Sequence, residues 1–325
     1  MNNYNFLQRL LHRLALAPKF MREATFDAED FFINATSNKE EHVFIAGLAR
    51  SGTTILLNAI FKSENFASLS YADMPFVLAP NLWSKISFSQ LDKKATERAH
   101  GDGIIIRPDS PEAFEEIFWK TFDEKNSLTH DKYKIYINNI LKKYDRESYL
   151  SKNNQNFKRL DLIAKLFPES KILIPVRNPI QQAGSLLFQH KRFIENSKQD
   201  NFISNYMKWI GHTEFGPNYL VLNNKNINFV NDMDINHWLE QWYLSYKNCL
   251  NEFEAKSNVK FIIYEYLCES KSYWFEILDF INIENKYEYD FSISIKDYTF
   301  EIDKDLKEKC IGLYKEISDN NFVYN

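Results

Sequence analysis

A glycine-bracketed loop, Gly47-Leu48-Ala49-Arg50-Ser51-Gly52-Thr53-Thr54, constrains the fold of this chain more than any other stretch. The apolar run His42-Val43-Phe44-Ile45-Ala46 precedes it, and the helical pattern Ile55-Leu56-Leu57-Asn58-Ala59-Ile60-Phe61 follows. A buried strand, a glycine turn and a helix start, in that order, make an anion cradle. Consecutive backbone N–H groups converge on the turn, and the helix dipole adds partial positive charge there. The spacing Gly-x4-Gly matches a nucleoside-triphosphate loop, but Thr53 stands where such loops carry the lysine that reaches the β- and γ-phosphates. The loop is suited to a phosphate-like group and poorly suited to ATP or GTP.

A second segment narrows the ligand. Lys171-Ile172-Leu173-Ile174-Pro175-Val176 reads as another buried strand and ends in Arg177-Asn178-Pro179, with Ser185 eight positions after Arg177. An arginine at the carboxyl end of a strand and a hydroxyl on the next helix can grip one isolated phosphate.

Together these elements resemble the sulfotransferase family that uses 3'-phosphoadenosine 5'-phosphosulfate (PAPS). The resemblance implies that Arg50, Ser51, Gly52, Thr53 and Thr54 hold the 5'-phosphosulfate, and that Arg177 and Ser185 hold the 3'-phosphate. It extends to Ser151-Lys152-Asn153-Asn154-Gln155-Asn156, similar to a Lys-x-x-x-Asn segment, and to Leu166-Phe167-Pro168-Glu169-Ser170-Lys171. It also takes in Val259-Lys260-Phe261-Ile262-Ile263-Tyr264-Glu265-Tyr266-Leu267, where Tyr266 replaces an aspartate of the family pattern and Tyr264 joins the nucleotide-binding residues. The similarity runs from about residue 40 to about residue 285. PAPS as co-substrate, adenosine 3',5'-bisphosphate as product and a hydroxyl-bearing acceptor are what it implies. The fold it implies is an α/β, P-loop-like, three-layer arrangement: a central parallel sheet flanked by helices, with a helical lid.

Sulfuryl transfer, like phosphoryl transfer, is a loose in-line displacement with charge building on the leaving oxygen. Arg50 is the nearest cation to neutralise that charge, and a general base must take the acceptor proton. Asp73 leads the candidates because it follows the short strand Ala67-Ser68-Leu69-Ser70-Tyr71. His100 is second, in the glycine-flexed turn Ala99-His100-Gly101-Asp102-Gly103, where Asp102 can orient the imidazole. His190, beside Lys191 and Arg192, is third and reads as part of a basic helix face. Lys152 and Asn156 either line the site or are a solvated charge and a polar helix position. The scheme needs no metal, and no His/Cys group has ligand spacing.

The rest of the chain fits one domain over residues 1–325. Hydrophobic residues make up 44% and charged residues 26%, a balance that excludes disorder. Strands are expected at 43–47, 67–71, 171–176 and 259–264, alternating with helices as in a parallel sheet. Residues 84–168 read as a helical insertion in which Ser110-Pro111-Glu112 starts a helix with an apolar face of Phe114, Ile117, Phe118 and Phe122. Residues 195–250 read as an acceptor lid whose aromatic, Asn and basic side chains suit a glycan or other carbohydrate hydroxyl. Residues 1–25 form an amphipathic helix with Phe6, Leu10 and Leu14 at spacing four. Packing of that face on the domain or a second subunit is expected, with peripheral membrane contact as the alternative.

A net charge of −4 argues against broad nucleic-acid binding. Cys249, Cys268 and Cys310 form no CxxC pair and read as free thiols of a reducing, cytoplasmic protein. No apolar run reaches the roughly 18 residues of a membrane span. Two other functions compete: a P-loop kinase or phosphotransferase, and a nucleotide-binding protein without catalysis. Oligomeric state is not readable from the sequence.

Overall fold

A computed structural model describes residues 5–37, 39–86, 96–97, 105–222 and 227–320. Helices α1 (Phe6–Leu16) and α2 (Lys19–Ile33) lead to strand β1 (Val43–Ile45), helix α3 (Thr53–Phe61), strand β2 (Phe66–Ala67) and helix α4 (Pro80–Ile86). Two short strands, β3 (Thr96–Glu97) and β4 (Ile105–Ile106), pair antiparallel apart from the main sheet. Helices α5 (Glu116–Thr121) and α6 (Ser127–Tyr144), strand β5 (Ser148–Lys152), helix α7 (Leu160–Leu166) and strand β6 (Lys171–Val176) follow. The chain ends through α8 (Pro179–Gln199), α9 (Asn201–Trp209), α10 (Ile235–Phe253), β7 (Val259–Ile263), α11 (Tyr264–Glu269), α12 (Lys271–Phe280) and α13 (Lys304–Asn320).

The main sheet has the order β2-β5-β1-β6-β7, and every pairing in it is parallel. Alternation along the strands sends side chains into two separate apolar layers. Phe44, Ile172, Ile174 and Val176 pack with residues of α5, α6, α8, α10 and α13 on one face. Val43, Ile45, Leu173 and Ile262 pack with α3 and α12 on the other. A parallel sheet covered on both faces by helices is the three-layer α/β fold expected, and the larger layer draws residues from Ala15 to Ile317.

Three local expectations are corrected. The stretch 84–168 is not only helical, because it contains β5, which lies between β2 and β1 in the sheet. Ser148-Tyr149-Leu150-Ser151-Lys152 hides its strand character in polar residues: Tyr149 and Ser151 both donate to the buried carboxylate of Glu115. The helix predicted from Ser110 starts at Glu116, since Pro111 forms an antiparallel bridge with Ser70. Its apolar face of Phe114, Ile117, Phe118 and Phe122 is buried as read. Finally, residues 1–25 are not one helix, as Pro18 caps the start of α2. The face of Phe6, Leu10 and Leu14 points to solvent and not onto the domain.

Candidate functional site

Functional side chains of a parallel sheet gather beyond the carboxyl ends of its strands. Beyond β1 the chain turns through Gly47 to Gly52. A Cβ on Gly47 would lie 3.1 Å from the Pro175 ring, a tight contact that would push the loop off β6 by a few tenths of an ångström. Gly52 takes φ +98°, and a Cβ there would stand 2.7 Å from the Tyr264 ring. The loop is held from inside. Ser51 Oγ donates to Leu48 O at 2.8 Å, and the buried Gln182 Nε2 donates to Ala49 O at 3.0 Å. Trp242 Nε1 in turn donates to Gln182 Oε1 at 2.9 Å and fixes that amide.

Helix α3 begins at this loop with Gly52 as its N-cap and no side-chain cap. The first amides of a helix need an acceptor from outside it. Those of Gly52 and Thr53 have none among the described residues, which suits the end of α3 to an anion. The Thr53 hydroxyl, by contrast, donates to Asn154 Oδ1 at 3.3 Å. Arg50 adopts φ +70°, the left-handed region that non-glycine residues avoid, and this turns its guanidinium toward α8.

The second predicted grip meets the first. Arg50 Nε donates to Ser185 Oγ at 3.0 Å, and Arg177 Nη1 donates to Arg50 O at 3.3 Å. Arg177 Nη2 donates to Ser294 O, while its guanidinium lies 4.9 Å from the centroid of the Tyr264 ring. Arg177 Nε is buried with no acceptor among the described residues. A buried guanidinium N–H with no acceptor fits a phosphate oxygen. Burial pushes the Tyr264 phenol up to about 12, against the pull of the neighbouring Arg177 cation. Burial likewise raises the Tyr298 phenol, opposed by Arg177 and Arg50. Arg50, Ser51, Gly52, Thr53, Thr54, Arg177, Ser185 and Tyr264 thus form one constellation around the ends of β1, β6 and β7.

The base candidates fall differently. Asp73 is fully buried: its Oδ2 accepts from Ser70 N at 2.7 Å and Tyr144 OH at 2.6 Å, and its Oδ1 pairs with Lys143. Asp73 has no exposed surface and its Oδ1 is held in an ion pair with Lys143, so the expectation of an open base at the sheet mouth is corrected. His100 and Asp102 lie outside the described residues. His190 is buried and not on a basic surface. Its Nδ1 accepts from Gly216 N at 3.1 Å, and burial lowers its pKa. Asn156 is also buried and donates to Glu115 Oε1 at 2.7 Å, as part of the framework.

Lys152, by contrast, stands at the carboxyl end of β5, opposite Ile45 of β1, two residues before the Asn154 that contacts Thr53. Its Nζ lies 3.6 Å from Glu112 Oε1, which also accepts from Ala113 N at 2.9 Å, while Tyr71 OH donates to Glu112 Oε2 at 2.7 Å; unlike Asp73, the Glu112 side chain keeps 11% exposure. Sequence reasoning assigned Glu112 to a helix start and so missed this carboxylate. Backbone pairing with residues 69–72, including the Ser70–Pro111 bridge and Glu112 N donating to Leu69 O at 3.0 Å, brings it to the strand ends.

A sequence model of the sulfotransferase family matches residues 42–214, more than half of the chain, from the residue before β1 to beyond α9. The chain belongs to the sulfotransferase family. Among solved structures it is similar to the sulfotransferase STF1 from Mycobacterium tuberculosis H37Rv, with 10% identity, 98% of this chain and 85% of that one covered and a TM-score of 0.48. Sulfotransferase STF9 from Mycobacterium avium gives 11% identity, 97% and 79% coverage and a TM-score of 0.46. The sulfotransferase domain of the curacin biosynthetic pathway gives 15%, 87% and 99%, and 0.42. No curated protein matches the sequence.

Proposed function

We propose that this sulfotransferase takes its sulfuryl group from PAPS and delivers it to an acceptor hydroxyl, in a single domain over residues 1–325. The observation that carries the reading is the meeting of Arg50, Arg177 and Ser185 beside the uncapped start of α3. One group of donors suits a terminal phosphosulfate, and the other suits an isolated 3'-phosphate. When bound, the nucleotide supplies the activated sulfuryl group and leaves as adenosine 3',5'-bisphosphate.

The chain's own residues then have distinct tasks. The Gly52 and Thr53 amides, with the α3 dipole, offer fixed donors to negative charge, and Arg50 adds a cation at the same loop. Arg177 and Ser185 position the nucleotide through its other phosphate. Glu112 is the general base in this reading: an acceptor hydroxyl at the ends of β1 and β5 gives up its proton to Glu112, with Lys152 holding the carboxylate in place.

A carbohydrate hydroxyl is the acceptor class we favour, with residues 195–250 as the acceptor side. The support is compositional: this stretch holds many Asn side chains and the half-buried Trp209, Tyr219 and Tyr243. Tyr206, Phe215, Trp238, Trp242 and Tyr246 are core and add nothing to it. Three unbridged cysteines support a reducing, cytoplasmic setting. No helix among the described residues is long and apolar enough to cross a membrane.

Calorimetric titration with adenosine 3',5'-bisphosphate, set against ATP and AMP, tests the nucleotide. Binding of the bisphosphate that is lost in Arg177→Ala, followed by transfer from PAPS to an oligosaccharide, is the expected result. Preference for ATP with magnesium overturns it, and bisphosphate binding without transfer to any hydroxyl returns the non-catalytic alternative.

A further inference from the structure

Helix α1 is docked with its apolar side outward. His12, Ala15 and Leu16 face the protein, and the His12 ring lies 5.8 Å from that of Tyr206 on α9. Arg9 bridges to Asp200 at 2.9 Å and lies 4.7 Å from the centroid of the Phe202 ring. The opposite side carries Phe6, Leu7, Leu10 and Leu14, which are 82%, 71%, 39% and 53% exposed. Phe20, at the start of α2, is 67% exposed as well. A helix that buries a histidine and displays four large apolar side chains on one side has an external partner for that side.

Charge identifies the partner. Residues 5–22 contain Arg9, Arg13, Lys19 and Arg22 and no acidic residue, a local charge of +4. The whole chain is −4, so the remainder is −4 − 4 = −8. Arg22 is buried and bound to Thr121, Arg9 pairs with Asp200, and Lys19 pairs with Glu23 at 3.3 Å, which leaves Arg13 as the exposed cation beside the apolar side. An anionic surface attracts this end of the molecule and repels the rest. A two-fold contact between copies would set two acid-free basic segments against each other. The 11 residues of α1 reach about 16 Å, too short to cross a hydrocarbon core of about 30 Å.

We propose that α1 lies in the plane of an anionic lipid surface, with Phe6, Leu7, Leu10 and Leu14 in the acyl boundary and Arg13 on headgroup phosphates. Flotation of the full chain with phosphatidylcholine vesicles, with and without phosphatidylserine, tests it. Wild-type protein floats with the phosphatidylserine vesicles, and less so at high salt. The double variant Leu10→Glu/Leu14→Glu loses about tenfold or more of that binding, with thermal melting and bisphosphate affinity unchanged. Wild-type protein left unbound by phosphatidylserine vesicles overturns the proposal, whatever the variant does. So does a sedimentation profile in which wild type is a dimer and the double variant a monomer, which assigns the apolar side to a second copy.

Discussion

Arg50 bonds to both Ser185 and Arg177: its Nε donates to Ser185 Oγ at 3.0 Å, and its carbonyl accepts from Arg177 Nη1 at 3.3 Å. The loop after β1 and the segment after β6 therefore meet, although more than a hundred residues of chain separate them.

This linkage ranks two substitutions. Arg177→Ala removes a charged donor set and is expected to weaken adenosine 3',5'-bisphosphate binding by about 2–3 kcal/mol, roughly 30- to 150-fold. Ser185→Ala removes one neutral hydroxyl and costs about 1 kcal/mol, roughly fivefold. Calorimetry reads both, and an effect of Ser185→Ala equal to that of Arg177→Ala refutes the assignment of charge to Arg177.

Glu112 and Asp73 separate on different measurements. Glu112→Gln is expected to lower kcat by roughly 10²- to 10⁴-fold while bisphosphate affinity stays as in wild type. Asp73→Asn leaves Lys143 without its buried anion and is expected to cost roughly 2–3 kcal/mol in urea unfolding, with turnover of the folded protein retained. Loss of turnover in Asp73→Asn at full stability would reverse the two roles.

Gly52→Ala meets two obstacles. Its φ of +98° disfavours any side chain, and the new Cβ stands 2.7 Å from Tyr264. The expected loss is about 1–3 kcal/mol of stability, with weakened nucleotide binding. Pairing it with Tyr264→Ala removes the collision and leaves the backbone strain, so the double variant regains only part of the melting temperature lost. Full recovery would show that strain at Gly52 is unimportant.

Acid stability follows from His42. Burial lowers its pKa to about 4, and its Nδ1 accepts from Tyr149 N at 3.3 Å, so the folded protein holds it neutral. Below pH 6.5 the unfolded chain binds a proton that the folded chain refuses. Stability falls as the pH drops from about 6.5 and levels off near 4, by on the order of 3 kcal/mol. Urea midpoints between pH 4 and 7 should show this slope and a shallower one in His42→Gln. His12 and His190, also depressed by burial, keep some slope in the variant.

What the sequence made legible was whatever depends on neighbours along the chain. Val43 to Ile45, Lys171 to Val176 and Val259 to Ile263 are apolar runs, and buried parallel strands read that way. The loop and the Arg177–Ser185 pair carry their chemistry in short spacings. β5 was hidden because Ser151 satisfies its hydroxyl on Glu115, a partner outside the strand. The strand expected at 67–71 is only Phe66–Ala67, and Asp73 ends a 3-10 turn whose commitment was half visible: Ser70 three residues earlier completes a capping box. Its ion pair with Lys143 spans 70 residues and had no local trace. Glu112 was out of reach for the same reason, since its place depends on the pairing of Pro111 with Ser70.

The strand order has a consequence for how the chain is made. Val43 pairs with Leu150 on one side and Lys171 on the other, so β1 emerges from the ribosome more than a hundred residues before either neighbour. At synthesis rates of about 5–20 residues per second, that is a wait of roughly 5–20 s. During this interval the apolar segment Val43-Phe44-Ile45 and the apolar face of α3 have no sheet to close against. The last strand to arrive, β7, completes the sheet only once β6 is already made.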